Sequence, residues 1–195
     1  MPENSNDFSK NVPGTRTYIG TVNLFNSTPA QNYFQQGLKK FAAQDFAGAV
    51  DDFSRVIAHS SQHSHAYINR GAAKGELEDY AGALIDFDHG IGLDPTDPKG
   101  YTGRGNVKIN SNDLAGALID FYRVVELDPT SATAYIGRGY ARGQLNDYPG
   151  ALNDLTRAIE LHPQFKLAFL FRASIKEQMQ DAAGAEADRK EAASL

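Results

Sequence analysis

Residues 81–87 read AGALIDF, and residues 115–121 read AGALIDF again, 34 positions later. AYINRG at 66–71 returns as AYIGRG at 134–139, two such periods on, and LDPT at 93–96 returns at 127–130. Laid out at this period from Ala30, the chain divides into units 30–63, 64–97, 98–131, 132–165 and a shortened 166–195, with no insertion between them. A fixed period of this length marks a supersecondary unit that cannot bury its apolar faces alone and must stack on its neighbours.

Each unit has one grammar. Its first half carries apolar residues at helical spacing, as in Tyr67, Ile68, Gly71 and Ala72. A short polar turn follows and ends on Asp45, Asp79, Asp113, Asp147 or Asp181, each placed to cap the next helix. Pro149 fits the first turn of such a helix. The second half presents one buried face, Ala83, Leu84, Phe87 and Ile91, and stops at Pro95, Pro129 and Pro163. Every unit thus reads as helix, tight turn, antiparallel helix, break. Gly37, Gly71, Gly105 and Gly139 form a column inside the first helices, where glycine costs about 1 kcal/mol relative to alanine. Opposite runs Ala49, Ala83, Ala117, Ala151 and Ala185, so the backbones are expected to approach closely there. A second column, Gly48, Gly82, Gly116, Gly150 and Gly184, is assigned to close approach of a neighbouring helix.

The pattern resembles the tetratricopeptide repeat family over residues 30–195: the 34-residue length, the glycine of the first helix, the aromatic after the turn (Tyr80, Tyr148), the alanine of the second helix and the closing proline. It departs in having Tyr33, Tyr67, Tyr101, Tyr135 and Phe169 at the family's early Trp, Ser61 for the first closing proline, and Arg189 where earlier units have Phe53, Phe87, Phe121 and Leu155. The resemblance implies an all-α fold, an α-solenoid in which antiparallel helix pairs form a right-handed superhelix. The last helix, with Glu186, Arg189 and Lys190, reads as a polar cap. Residues 1–29 stand outside the repeat as an N-terminal extension, polar and disordered to Gly14, then alternating over Thr15–Phe25 as an extended segment would.

Composition narrows the function. Nineteen basic residues against 24 acidic ones give a net charge of -5, which argues against binding nucleic acid by phosphate neutralisation. The absence of cysteine removes disulfides, thiolate metal sites and thiol nucleophiles. No apolar stretch reaches the roughly 18 residues of a membrane span, and the first residues do not read as a secretory signal, so a cytoplasmic protein without membrane insertion is expected. His59, His63 and His65 cluster, but in a polar inter-helix turn; DPTDPKG at 94–100 carries oxygen ligands, but as a plain turn. No catalytic constellation, metal site or cofactor motif emerges, so an enzyme is not expected.

The family's concave wall is lined by first-helix residues. The resemblance places Phe34, Leu38, Phe41, Ile68, Lys99, Thr102, Asn106, Thr133, Ile136 and Tyr140 there, an apolar first end leading to a polar middle. Such a groove suits an extended peptide or a partner helix. A protein or peptide partner is therefore expected, with the chain acting as adaptor, scaffold or assembly factor. The alternative is a homo-oligomer stacking through terminal repeats without a peptide ligand. The family's chaperone-tail clamp is not carried over, because Ile68, Ala72, Gly103 and Gly137 stand in its places. Arg70, Arg104, Arg138 and Arg172 precede the small-residue column at a constant offset from Asp86, Asp120, Asp154 and Asp188, which predicts four structural ion pairs; Asp52 with Arg70 is the competing register. Arg104→Ala should therefore lower the thermal midpoint, whereas unchanged stability with lost ligand binding would move the arginines to recognition.

Overall fold

A computed structural model of the chain describes residues 28–195. These residues contain ten helices and no strand: α1 (Pro29–Ala42), α2 (Phe46–His59), α3 (Ser64–Glu76), α4 (Tyr80–Leu93), α5 (Pro98–Asn110), α6 (Leu114–Leu127), α7 (Ala132–Gln144), α8 (Tyr148–Leu161), α9 (Lys166–Gln178) and α10 (Ala182–Ser194). The fold is all-α, built of tandem helix pairs. The segment expected to be extended over Thr15–Phe25 lies outside the described residues. Thr28 and Pro29, set with the extension by the repeat count, belong to the first helix: Thr28 caps α1 in a reciprocal capping box with Gln31.

The chain divides into two compact units, residues 28–107 and Lys108–Leu195, the division falling inside α5. In the first, α1 pairs with α2 and α3 with α4, while α3 lies against both α2 and α1. In the second, α6 lies against α7, α7 pairs with α8 and α9 with α10, while α9 lies against both α8 and α7. Each unit is thus stacked as an α-solenoid is, first helix beside first helix.

The hairpin turn is the same five times. Gln44, Glu78, Asn112, Asn146 and Gln180 adopt φ of 61–64°. This left-handed residue lets its own N–H reach back three residues, as Gln44 does to the Phe41 carbonyl at 2.9 Å. The next N–H reaches back five, as Asp45 does to Lys40 at 2.9 Å. The first helix therefore ends in a Schellman motif. None of the five is glycine, so each carries the roughly 1 kcal/mol cost of a left-handed L-residue. The residue that closes this motif is the Asp, and it also opens the next helix: its Oδ1 accepts from the N–H three residues on, at 2.9–3.0 Å in all five repeats. One aspartate serving both ends explains why the turn has no room for an insertion.

That cap also corrects the reading of the second glycine column. The N–H it receives belongs to Gly48, Gly82, Gly116, Gly150 or Gly184, and a Cβ on any of these would overlap the other oxygen of the same aspartate. The column answers to the cap carboxylate folded over it, not to a neighbouring helix. The first column does face closely packed groups: a Cβ on Gly71 would lie 3.1 Å from the Ala83 carbonyl oxygen, and one on Gly139 would lie 3.3 Å from that of Ala151.

Phe53, Phe87, Phe121 and Leu155 are the largest wholly buried side chains of the second helices. A Cβ on Gly103 would overlap the Phe87 ring, and one on Gly137 would overlap the Phe121 ring, so each phenylalanine seats in a glycine notch on the following first helix. Gly92 is the opposite case, helical and with open space for 4 Å around the place a methyl group would take. Gly92→Ala should therefore stabilise the chain by about 0.5–1 kcal/mol, while Gly139→Ala, added against backbone, should destabilise it by about 1–3 kcal/mol; urea unfolding of the two variants reads both signs.

Candidate functional site

The repeated charges are the best-defined polar constellation. Asp52, Asp86, Asp120, Asp154 and Asp188 are all buried, at 0–4% exposure. Arg70 grips Asp86 bidentately, Nε to Oδ2 at 2.9 Å and Nη2 to Oδ1 at 2.6 Å. Arg138 holds Asp154 in the same way at 3.0 and 2.7 Å, and Arg172 holds Asp188 at 2.9 and 2.6 Å. Arg104 and Asp120 fall in different units; within them, Arg104 donates to Asp88 at 2.6 Å and Lys108 stands 2.9 Å from Asp120.

The remaining guanidinium nitrogen reaches the preceding second helix. Arg70 Nη1 donates to Ser54 Oγ and Arg172 Nη1 to Thr156 Oγ1, each at 3.1 Å, while the Arg138 guanidinium lies 4.8 Å from the Tyr122 ring centre. A planar fork can face both ways, so Arg70 joins Asp86 to Ser54 of the preceding second helix, while the competing Asp52–Arg70 register does not form. Beneath it lies the early aromatic of the repeat: Arg70 is 5.6 Å from the Tyr67 ring centre and Arg138 5.3 Å from that of Tyr135. Tyrosine in the family's Trp position is thus a cation–π floor.

A second cation column went unread in the sequence, although it recurs there at 34-residue spacing. Lys40, Lys74, Lys108, Arg142 and Lys176 stand 2.6–2.9 Å from the five buried aspartates. Each also donates to the carbonyl of the glycine in its second column, at 3.2–3.5 Å. Burial alone would raise the Asp188 pKa, but hydrogen bonds from Arg172 and Lys176 bring it below the ordinary carboxylate value. Asp86 holds the Arg70 guanidinium above its usual range. The first repeat differs, with Gln36 at the arginine position; Asp52 pairs with Lys40 at 2.6 Å, not with Arg70, and Arg55 approaches only to 3.7 Å. Every cation of this network is thus engaged inside the fold.

The first-helix faces divide by chemistry. Phe34, Leu38 and Phe41 belong to the core around Phe53, where Phe34 meets Phe53 edge-on at 5.7 Å, and Ile68 belongs to the core of Phe87 and Val107. In residues 108–195, Ile136 is wholly buried. The apolar floor expected from the sequence is therefore core, because a first helix must satisfy its own hairpin and the next one together. What faces outward is polar or amphipathic. In residues 28–107 these are Lys99, exposed, and Thr102, half-buried and donating to the Pro98 carbonyl at 2.9 Å. Partial burial brings Lys99 below the ordinary lysine range, with Asp97 working the other way. Asn106, one turn beyond Thr102 on α5, is by contrast buried at 4% exposure, and neither its amide nitrogen nor its oxygen has a hydrogen-bond partner. In residues 108–195 the face carries half-buried Thr133 and Tyr140, the latter 5.0 Å from the Phe171 ring and raised in pKa by burial, while Leu170, next to Phe171 in sequence, is exposed. Among the described residues no group of three or more His, Asp or Glu could hold a metal ion, and no helix is long and apolar enough to cross a membrane.

The sequence matches no family model and no curated protein. Solved structures match at the level of fold. MamA from Desulfovibrio magneticus RS-1 superposes with a TM-score of 0.77 at 19% identity, covering 87% of this chain and 96% of that one. TTC0263, a TPR protein of Thermus thermophilus, gives 0.70 at 18% identity, covering 84% and 89%. YrrB, described as a TPR protein with an unusual peptide-binding site, gives 0.67 at 18% identity, covering 84% of each chain. The described residues have the fold of tetratricopeptide repeat proteins.

The unequal ion clusters give a direct test. Asp86→Asn strands Arg70 and Lys74 against a buried amide and should cost about 3 kcal/mol or more. Asp52→Asn releases Lys40 and the more distant Arg55, which are 39% and 58% exposed and can turn to water, and should cost about 1–2 kcal/mol. Equal losses in urea unfolding would show that the arginine fork adds nothing.

Proposed function

We propose that the chain is a non-enzymatic protein–protein interaction module, an adaptor, scaffold or assembly factor working in the cytoplasm, that takes a peptide or a partner helix on its first-helix faces. The observation that carries this reading is Asn106. A buried side-chain amide with both hydrogen-bonding atoms idle is destabilising, typically by about 1–3 kcal/mol. It stands on the face of α5 that also bears Lys99 and Thr102, one charge and one hydroxyl within two helical turns. An amide can donate to and accept from a peptide backbone at once, which suits a main-chain ligand of varied sequence. The peptide-binding site attributed to YrrB, a protein of like fold, is in keeping with this.

Stacking of copies through the terminal repeat is the weaker reading. Arg189 occupies the place where other second helices carry the phenylalanine or leucine that enters the next unit, and it is ion-paired with Glu177. A copy docking there would have to desolvate that pair.

Asn106→Leu separates recognition from folding. Removing an unsatisfied buried amide for an apolar side chain of similar shape should leave stability unchanged or raise it by about 1 kcal/mol. The same change, alone or with Lys99→Glu, should weaken capture of peptides selected on the wild-type protein from a random display library by tenfold or more. A variant that unfolds more readily yet binds those peptides as well would assign the amide to the fold and remove the proposal. Sedimentation of the wild type at increasing concentration reads the stacking alternative.

A further inference from the structure

Each first helix needs an acceptor for its opening N–H groups. Thr28 and Ser131 supply hydroxyls to α1 and α7, Asp97 Oδ1 receives the Lys99 N–H at 3.0 Å at the start of α5, and α9 has no side-chain cap. For α3 the acceptor is an imidazole: His63 Nδ1 takes the Ala66 N–H at 3.3 Å. That nitrogen can accept only while it carries no proton. We infer that His63 makes the start of α3 proton-sensitive, capping the helix while its ring is neutral and releasing it when the ring is protonated.

The surroundings favour the neutral ring. From α1, Phe34 lies 4.9 Å away centroid to centroid, an apolar wall. From α3 itself, His65 stands edge-on at 6.2 Å, a second ring that repels once both are charged. The acids of this neighbourhood are directed to His65: its Nε2 is 3.5 Å from Oδ2 of Asp97 at the head of α5, and Asp94 just before it also feels the His65 charge. From the end of α2, His59 is stacked on Tyr33 at 6.0 Å. Attraction between an imidazolium and the Phe34 face works the other way, but it cannot restore an acceptor at Nδ1, and a cation at a helix N-terminus opposes the dipole. Burial first, and His65 second, bring the His63 pKa below the 6.5 of a free imidazole, with a hydrogen bond to its own backbone working the other way. The unfolded chain therefore binds this proton more readily than the folded one. The stabilisation is complete above 6.5 and is lost as pH falls toward and through the folded value. Because Phe34 also packs on Phe53 in the core of the first repeat, the released cap loosens the contact of α1 with α3. This device does not depend on whether the first-helix face binds a peptide.

The test compares the full chain with His63→Asn, whose amide caps at any pH, and with His65→Asn. Thermal unfolding is followed from about pH 8 to about pH 5 alongside NMR titration of the histidine ring protons. The expected result is a wild type that matches His63→Asn at high pH and falls behind it by about 2–4 °C in acid, the shift that loss of one cap gives a domain of this size. The His63 titration midpoint should lie below 6.5. Parallel curves for wild type and His63→Asn, a midpoint at or above 6.5, or an acid loss of the wild type that His65→Asn abolishes and His63→Asn retains would overturn it.

Discussion

A buried carboxylate held by cations from a first helix is the interaction around which each repeat is arranged. Asp86, 1% exposed, cannot remain ionised there without partners, because isolated buried charge costs far more than a domain's whole margin of stability. Arg70 and Lys74 meet it from α3, and Arg70 then extends to Ser54 on α2. Three helices are thus tied at one point. Such a cluster contributes little net stability compared with the apolar burial around Phe53 and Phe87. Its effect is on geometry: a helix rotated out of register would strand a charge, so one packing is kept and its neighbours are excluded.

The turn and the cap follow from the same economy. The aspartate that closes the Schellman motif is the acceptor that opens the next helix, the glycine beneath it yields space to its carboxylate, and that glycine's carbonyl receives the lysine which also holds the buried acid. Turn, cap and ion cluster are therefore one continuous polar path through the hairpin. A residue inserted in the turn would break all three at once, which gives the period its physical basis.

With the basic side chains of this path engaged inside the fold, recognition is left to what the first helices turn outward. That surface is sparse: Lys99 and Thr102 beside the buried amide of Asn106 in one unit, Thr133 and Tyr140 in the other. Phe34, Leu38, Phe41, Ile68 and Ile136 have the first-helix positions of a binding floor and are core in the folded chain. Periodicity cannot separate the two, since a residue facing the next hairpin and one facing solvent lie about 100° apart or less on the same helix.

By itself the sequence determined the helices and their pairing, because those rest on local facts: apolar spacing, an aspartate at each turn, a proline at three of the breaks and a period that repeats in register. It also held the arginine–aspartate offset, and it held the lysine column unread. Only the tertiary structure decided where each charge goes, because a guanidinium has several nitrogens and two helices within reach. It likewise decided that the second glycine column serves the cap, that five turn residues are left-handed without glycine, and that Asn106 is buried with nothing to bond. These depend on distances between side chains from different helices, which no spacing along one chain encodes.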